Sequence, residues 1–268
     1  MRCLVIGCGS IGTRRARLLA EMGHEVHGMD AEPVRAANAT GGHAVDPIQA
    51  WSLVVPYDAV FICTPVGVRV DLVAEAVKAG VRGLFIEKPV AVDVDTAEAM
   101  LEALDHTGII TMGACNMRFD RRLEVVGRRT PTTLLFDMGQ HHSHWSANHE
   151  PITLMLDDIH ELDLARFLGG PIEGIEGWST IRRADALVRH KNGARSHIHL
   201  NRIADPPHRS VTSYEGHDRI VADLWPTDPE MYRREMQHFL ECVEHNRPTI
   251  NPLTQAAETL GWALEVVG

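Results

Sequence analysis

Residues 2–22 read RCLVIGCGSIGTRRARLLAEM. Arg2–Ile6 is a short run suited to a buried strand, Gly7-Cys8-Gly9-Ser10-Ile11-Gly12 is G-x-G-x-x-G, and Thr13–Met22 is amphipathic at helical spacing. Strand, tight turn and helix are expected in that order. The first glycine makes the turn, the second lets the backbone approach a pyrophosphate, and the third allows close packing of helix on strand. The helix N-terminus then attracts the anion. Such a string is weak alone, and a methyltransferase binding S-adenosylmethionine has similar glycine turns. Its setting carries the reading: a strand before, a helix after, and Asp30 closing a second strand-like run, Glu25–Met29, about 20 residues on. A carboxylate there accepts hydrogen bonds from the adenosine ribose hydroxyls and repels a 2′-phosphate. The expected cofactor is therefore NAD rather than NADP, held by Gly7, Gly9, Ser10, Ile11, Gly12 and Asp30.

Working outward, strand and helix signals continue to alternate. Pro33–Ala37 reads as a short helix, Ala59–Cys63 as a buried strand, Val70–Ala79 as a helix and Gly83–Ile86 as a strand. Thr96–His106 is helical and Gly108–Ala114 is a further strand. This rhythm predicts an α/β, doubly wound parallel sheet, a Rossmann domain over 1–118. Beyond about residue 120 the rhythm changes. Leu134–Met138 is strand-like, Gln140–Pro151 is a histidine-rich loop, and Ile152–Leu168 reads as one long helix closed by Gly169-Gly170. Strand-like runs follow at Gly174–Arg182, Ala186–His190, Arg195–Ile203, Ser210–Tyr214 and Arg219–Leu224, with Lys191-Asn192-Gly193 as a hairpin turn. Helices return at Pro229–His245, where Met231, Phe239, Leu240 and Val243 form a core stripe, and at Thr254–Val266. An α+β domain with an open, mostly antiparallel sheet is expected over 119–268, serving substrate binding and oligomerisation.

Of 268 residues, 44% are hydrophobic and 23% charged, the balance of a globular protein rather than a disordered or fibrous one. The formal net charge of -10 disfavours a nucleic-acid partner. No apolar run approaches the roughly 20 residues of a membrane span, and the apolar start breaks too early for a signal peptide. The five cysteines form no C-x-x-C pair, so structural zinc and a disulfide framework are not expected. A cytoplasmic protein is expected.

Glu87-Lys88-Pro89 ends the strand Gly83–Ile86, at the sheet edge where open α/β folds place their ligands. A partly desolvated lysine beside a cationic nicotinamide suits proton exchange with a substrate hydroxyl; a surface lysine beside a turn proline is the plainer alternative. Together with GCGSIG and Asp30, several further stretches stand out. They are FICTP at 61–65, AVKAGVRGLFIEKPVA at 76–91, GACNMRF at 113–119, DDIHELDLARFLGG at 157–170 and MYRREMQHFLECVEHNRPTINPL at 231–253. In this series the chain resembles the Gfo/Idh/MocA oxidoreductases, named for glucose–fructose oxidoreductase and inositol dehydrogenase. The resemblance implies a Rossmann domain followed by a domain with an open sheet, a nicotinamide cofactor contacted also by Thr64, Pro65, Glu87 and Lys88, and catalysis centred on Lys88. It further implies an Asp and a His on a helix entering the second domain, for which Asp157 and His160 are the candidates. Two positions depart from the family's pattern: Arg69 stands where many members carry a histidine, and Leu156 where many carry an aspartate.

On one continuous helix, i, i+3 spacing would put Asp157 and His160 on one face, with Asp163 a turn further on. A carboxylate-held imidazole suits proton transfer near neutral pH, while an acidic helix start with a hydrogen-bonded histidine is the structural alternative. Arg118 is expected either to meet an anionic group of the substrate or to form an ion pair bridging the domains. In the loop, His141, His142, His144, Trp145 and His149 invite a metal reading, but substrate contacts from His144 and Trp145 are expected instead, with no metal. Asp163 is a further substrate-binding candidate. The expected activity is hydride transfer between a nicotinamide and a carbinol or keto carbon of a sugar, sugar nucleotide or polyol. A non-catalytic dinucleotide-binding protein of the same fold and an imine or amino-acid reductase are the alternatives. The open sheet suggests a homodimer or homotetramer.

Overall fold

The apolar run after Met1 is strand β1 (Arg2–Ile6), an interior strand of a parallel sheet. The chain then alternates as the sequence pattern predicts. Helix α1 (Ser10–Glu21), β2 (Glu25–Met29) and α2 (Pro33–Thr40) are followed by β3 (Ala59–Ile62), α3 (Arg69–Lys78), β4 (Gly83–Ile86), α4 (Val94–Leu104) and β5 (Ile110–Gly113). A computed structural model describes these elements within residues 1–46, 57–127, 131–141 and 153–266. Local chemistry sets several boundaries. Proline stands at the start of α2 and Gly41 ends it in the left-handed conformation. The Asp93 carboxylate caps α4 by accepting from the Thr96 N–H at 2.7 Å. β3 and β4 are buried at every position, as befits strands covered on both faces.

The strand order is β2-β1-β3-β4-β5. Beyond β2, Ala44 forms a single parallel bridge to Gly28, whose N–H donates to the His43 carbonyl and whose carbonyl accepts from Val45 N–H, both at 2.9 Å. The sheet therefore follows the six-position order of dinucleotide-binding folds, with the strand outside β2 reduced to one bridge.

The second compact unit comprises Cys115–Met231 and Glu258–Gly268. Its mixed six-stranded sheet runs β11-β10-β6-β9-β8-β7. The strands are β6 (Thr133–His141), β7 (Ile172–Ser179), β8 (Arg183–His190), β9 (Arg195–Asn201), β10 (Ile203–Glu215) and β11 (Asp218–Asp223). Every pairing is antiparallel except β6 with β9. The predicted Asn-Gly turn joins β8 to β9, with Gly193 at φ 87°. Short α5 (Glu124–Gly127) precedes β6, and α6 (Leu154–Asp157) and α7 (His160–Gly169) follow it. Helix α7 packs on β6, β8 and β9. The alternation of buried and exposed residues along β8 and β9 leaves the other face open, with Trp178 and Leu187 about half exposed.

Two expectations need correction. A single boundary after residue 118 places everything beyond it in the second domain, yet Tyr232–Ala257 belong to the first unit. In helix α8 (Met231–Glu244), Phe239 meets Phe61 and Phe85 edge-on at 5.4 and 5.5 Å. Asn251 exchanges two hydrogen bonds with Gly113 on β5, at 2.9 and 3.0 Å, before α9 (Leu253–Glu265) begins. A sheet edge that would otherwise be open is thereby covered. The predicted long helix 152–168 is also interrupted: α6 ends at Asp157, Asp158 leaves helical geometry (φ -100°, ψ 47°), and α7 starts at His160.

Candidate functional site

Within the first unit, the glycine loop has the shape its residues demand. Gly7 has φ 86°, and a Cβ there would lie 2.7 Å from Thr64 N; a Cβ on Gly12 would lie 1.8 Å from the Gly7 carbonyl oxygen. Loop, α1 and the end of β3 can approach this closely only without those side chains. At Gly9 the space is open. Helix α1 begins there with no capping side chain and no acid in its first turn, so its leading N–H groups suit an anion. Asp30 follows β2, and its carboxylate accepts from Cys8 N–H at 2.6 Å and Glu32 N–H at 2.9 Å. The acid therefore sits against the glycine loop. A dinucleotide fits this arrangement: the start of α1 would hold its pyrophosphate and Asp30 a ribose.

Thr64-Pro65 and Glu87-Lys88-Pro89 follow the adjacent strands β3 and β4. Arg69, 3% exposed, joins them. Its Nε and Nη2 donate to the Thr64 carbonyl at 3.0 and 2.6 Å, and its Nη1 donates to the carbonyls of Glu87 and Pro89. Burial pushes the Arg69 pKa down to about 10. Glu87 turns inward. Its Oε1 accepts from Arg15 Nε at 2.6 Å, and Arg15 Nη1 reaches Glu235 Oε2 at 2.9 Å. Burial opposes the Arg15 charge, but Glu87 and Glu235 outweigh it and raise the Arg15 pKa. Lys88 is half-buried, and its N–H donates to Glu87 Oε2 at 3.2 Å.

In the second unit, His160 is half-buried at the first position of α7. The helix break removes the common-face argument for Asp157 and His160. Asp157 forms an ion pair with Arg202, while Asp158 lies 3.7 Å from Arg202 and 3.6 Å from Arg209. Glu161 lies 2.8 Å from Arg209 Nε. Burial pushes the Arg202 pKa down to about 10. The two substrate-binding candidates Arg118 and Asp163 pair with each other, in a two-point contact of 2.8 and 2.6 Å. Both are buried, so Arg118 takes the ion-pair role, within this unit rather than as a bridge. Burial works against the Arg118 charge, and Asp163 reverses the balance and raises its pKa. His142, His144, Trp145 and His149 lie outside the described residues, as does the side chain of His141. Among the described residues, no group of three His, Cys, Asp or Glu is arranged to hold a metal ion, and no helix is long and apolar enough to cross a membrane.

Sequence reasoning missed Arg15 and Glu235. The signal was present in the register. Gly12, Arg15, Ala16 and Leu19 are the buried positions of α1, at i, i+3, i+4 and i+7. Glu235 stands one turn from both Met231 and Phe239 in the core stripe of α8.

Glycine loop, acid after β2 and lysine after β4 define an NAD-binding oxidoreductase unit. Residues 1–114 match the Gfo/Idh/MocA family, described as "Oxidoreductase family, NAD-binding Rossmann fold". The match lies in the first unit, the part that carries the glycine loop, Asp30 and Lys88. It is 25% identical to the scyllo-inositol 2-dehydrogenase (NAD(+)) of Bacillus subtilis (strain 168), over 93% of this chain and 88% of that protein. Two solved structures share the fold. A putative myo-inositol dehydrogenase from Sinorhizobium meliloti 1021 has TM-score 0.89 and 19% identity, covering 100% of this chain and 97% of the other. The UDP-N-acetylglucosamine 3-dehydrogenase of Acidithiobacillus ferrooxidans has TM-score 0.87 and 21% identity, with the same coverage.

Proposed function

We propose that this chain is an NAD(H)-dependent dehydrogenase acting on a secondary hydroxyl of a polyol or sugar, free or nucleotide-linked, or on the matching ketone. The observation that carries the reading is Lys88. It follows β4 in the unit that holds the glycine loop and Asp30, and its neighbours Glu87 and Pro89 are fastened by Arg15 and Arg69. The relatives act on inositols and sugar nucleotides by their names, which supports a carbinol substrate.

When bound, the nicotinamide supplies the hydride acceptor or donor. The chain supplies the rest. The N–H groups at the start of α1 bind the pyrophosphate, and Asp30 accepts from the ribose hydroxyls and excludes a 2′-phosphate. During oxidation Lys88 Nζ takes the proton from the oxygen of the carbinol whose carbon gives up hydride, and in reduction it returns that proton to the oxygen. His160 is the second proton-carrying candidate. Asp157 ends the preceding helix α6 and pairs with Arg202. Arg118 and Asp163 hold each other and shape the second unit from within.

The test is turnover with NAD(H) on a panel of myo-inositol, scyllo-inositol, their ketones and UDP-N-acetylglucosamine. Lys88→Met is expected to keep NADH binding within about threefold and to lose roughly a hundredfold or more in kcat. Parent-like turnover in Lys88→Met overturns the role given to this lysine. Failure to quench or enhance NADH fluorescence in the parent overturns the dehydrogenase reading itself.

A further inference from the structure

We propose that Arg69 is a positioning residue for Lys88: its guanidinium ties the loop after β3 to the loop after β4 and sets the backbone from which Lys88 projects. This rests on Lys88 as the proton carrier. The bonds come from one planar group. Nε and Nη2 converge on the Thr64 carbonyl, while Nη1 takes the carbonyls of Glu87 and Pro89, the residues immediately before and after Lys88. The main chain is held on both sides of the lysine and anchored to the neighbouring strand end, itself in contact with Gly7 of the glycine loop.

The energetics favour a geometric role. These hydrogen bonds all go to neutral main-chain carbonyls, and burying a cation on such partners is costly. Burial pushes the Arg69 pKa down to about 10, which still leaves the guanidinium charged near neutral pH. An apolar side chain in its place would avoid the cost of burying a cation but would leave those three carbonyls without these donors. What an apolar side chain lacks is a fork of five donors in one plane, able to reach three carbonyls on two loops at fixed angles. The single ammonium of a lysine offers one point where Arg69 offers three nitrogens. The Glu87 side chain adds a second restraint through Arg15. Lys88 thus emerges from a segment held by two buried arginines, one on its flanking carbonyls and one on the side chain before it.

The experiment uses the full chain as parent, Arg69→Met, Arg69→Lys, Lys88→Met and the double variant Arg69→Met/Lys88→Met. Amide hydrogen exchange over residues 63–66 and 87–90, NADH affinity by fluorescence, and kcat and KM on the fastest substrate of the panel are read on the same preparations. Arg69→Met is expected to speed exchange in both segments about tenfold or more while β1 and α1 keep parent rates. NADH affinity should stay within about threefold and kcat fall at least about tenfold with little change in KM. Arg69→Lys is expected to recover part of that loss. In the Lys88→Met background, removing Arg69 should lower kcat less than about threefold further, because the group it positions is gone. Full turnover in Arg69→Met overturns the proposal. So does a multiplicative loss in the double variant, or faster exchange spread evenly over the first unit, either of which marks a merely structural arginine. If Arg69→Met does not fold, parent-like exchange and kcat in Arg69→Lys overturn it. If Lys88→Met alone keeps parent turnover, the proton-carrier reading fails, while the exchange data still decide whether Arg69 fastens the two loops.

Discussion

Arg15→Met is the substitution from which the first unit is expected to suffer most. Arg15 is 1% exposed, its two carboxylate partners Glu87 and Glu235 are 8% and 0% exposed, and its guanidinium lies 4.2 Å over the Phe85 ring. Methionine fills much of the volume but leaves two buried carboxylates without their cation. Breaking a buried ion pair by removing one partner costs about 3–5 kcal/mol, and the lost cation–π contact falls inside that range rather than adding to it in full. For a domain of this size that is a fall in melting temperature on the order of 10 °C. The diagnostic comparison is with Arg15→Met/Glu235→Leu. That variant removes one of the two stranded charges and replaces it with apolar bulk, so it is expected to recover a substantial part of the loss. Urea unfolding followed by tryptophan fluorescence and thermal scans at one pH and salt concentration measure both. A fall under about 2 °C for Arg15→Met, or a further fall in the double variant, would refute the argument that the arginine neutralises this buried pair.

Three more outcomes follow from the geometry. Asp30→Ser removes the charge that opposes a 2′-phosphate, so calorimetric titration should show the preference for NAD(H) over NADP(H) narrowing by about tenfold or more; an unchanged ratio places the selection elsewhere. Gly12→Ala puts a methyl 1.8 Å from the Gly7 carbonyl oxygen, which main chain must move to relieve. A loss of about 1–3 kcal/mol in stability, with NADH affinity falling alongside, is expected from parallel melts and titrations. His190 is 1% exposed between the Gly170 carbonyl and Ser196 Oγ, and burial lowers its pKa from 6.5. The folded state therefore favours the neutral ring. Its contribution is present above pH 6.5 and lost as the pH falls below that value, so melting of the parent between pH 7.5 and 5 should drop more steeply than that of His190→Gln.

Much of the first unit was legible because its signals are local. G-x-G-x-x-G needs a strand on one side and a helix on the other, and both are written in adjacent residues. The alternating strands and the Asn-Gly hairpin of the second unit were legible for the same reason. The break between α6 and α7 was not. Leu154–Asp157 and His160–Gly169 carry one continuous helical pattern, and the interruption at Asp158 goes with ion pairs to Arg202 and Arg209, residues more than 40 positions away. The return of Tyr232–Ala257 to the first unit was likewise hidden, because a core stripe says that a helix is buried but not against what. Arg69 was visible as a departure from the family's pattern, yet its three carbonyl acceptors come from two loops that only the sheet brings together.

Both candidate proton carriers sit among buried charges. Beside Lys88 in the chain, Glu87 pairs with Arg15, itself paired with Glu235, and Arg69 holds the flanking carbonyls. Beside His160, Asp158 and Glu161 pair with Arg202 and Arg209. Such groups are poor sources of net stability, since desolvation offsets most of their attraction and apolar residues of the same volume often do better. Apolar contacts, however, are non-directional and tolerate small rotations of a loop or helix end. A guanidinium fork does not, because its donors must meet their acceptors in one plane and at fixed spacing. Proton transfer needs donor and acceptor within hydrogen-bond reach, so a displacement of about 1 Å has a large kinetic cost. Arginines on the main chain and carboxylates beside Lys88 and His160 are therefore the kind of packing that secures angles where apolar packing would secure only volume. By this reasoning the buried charges nearest the two residues should affect kcat more than an apolar core residue of equal burial, such as Leu200 or Ile198, at matched loss of stability.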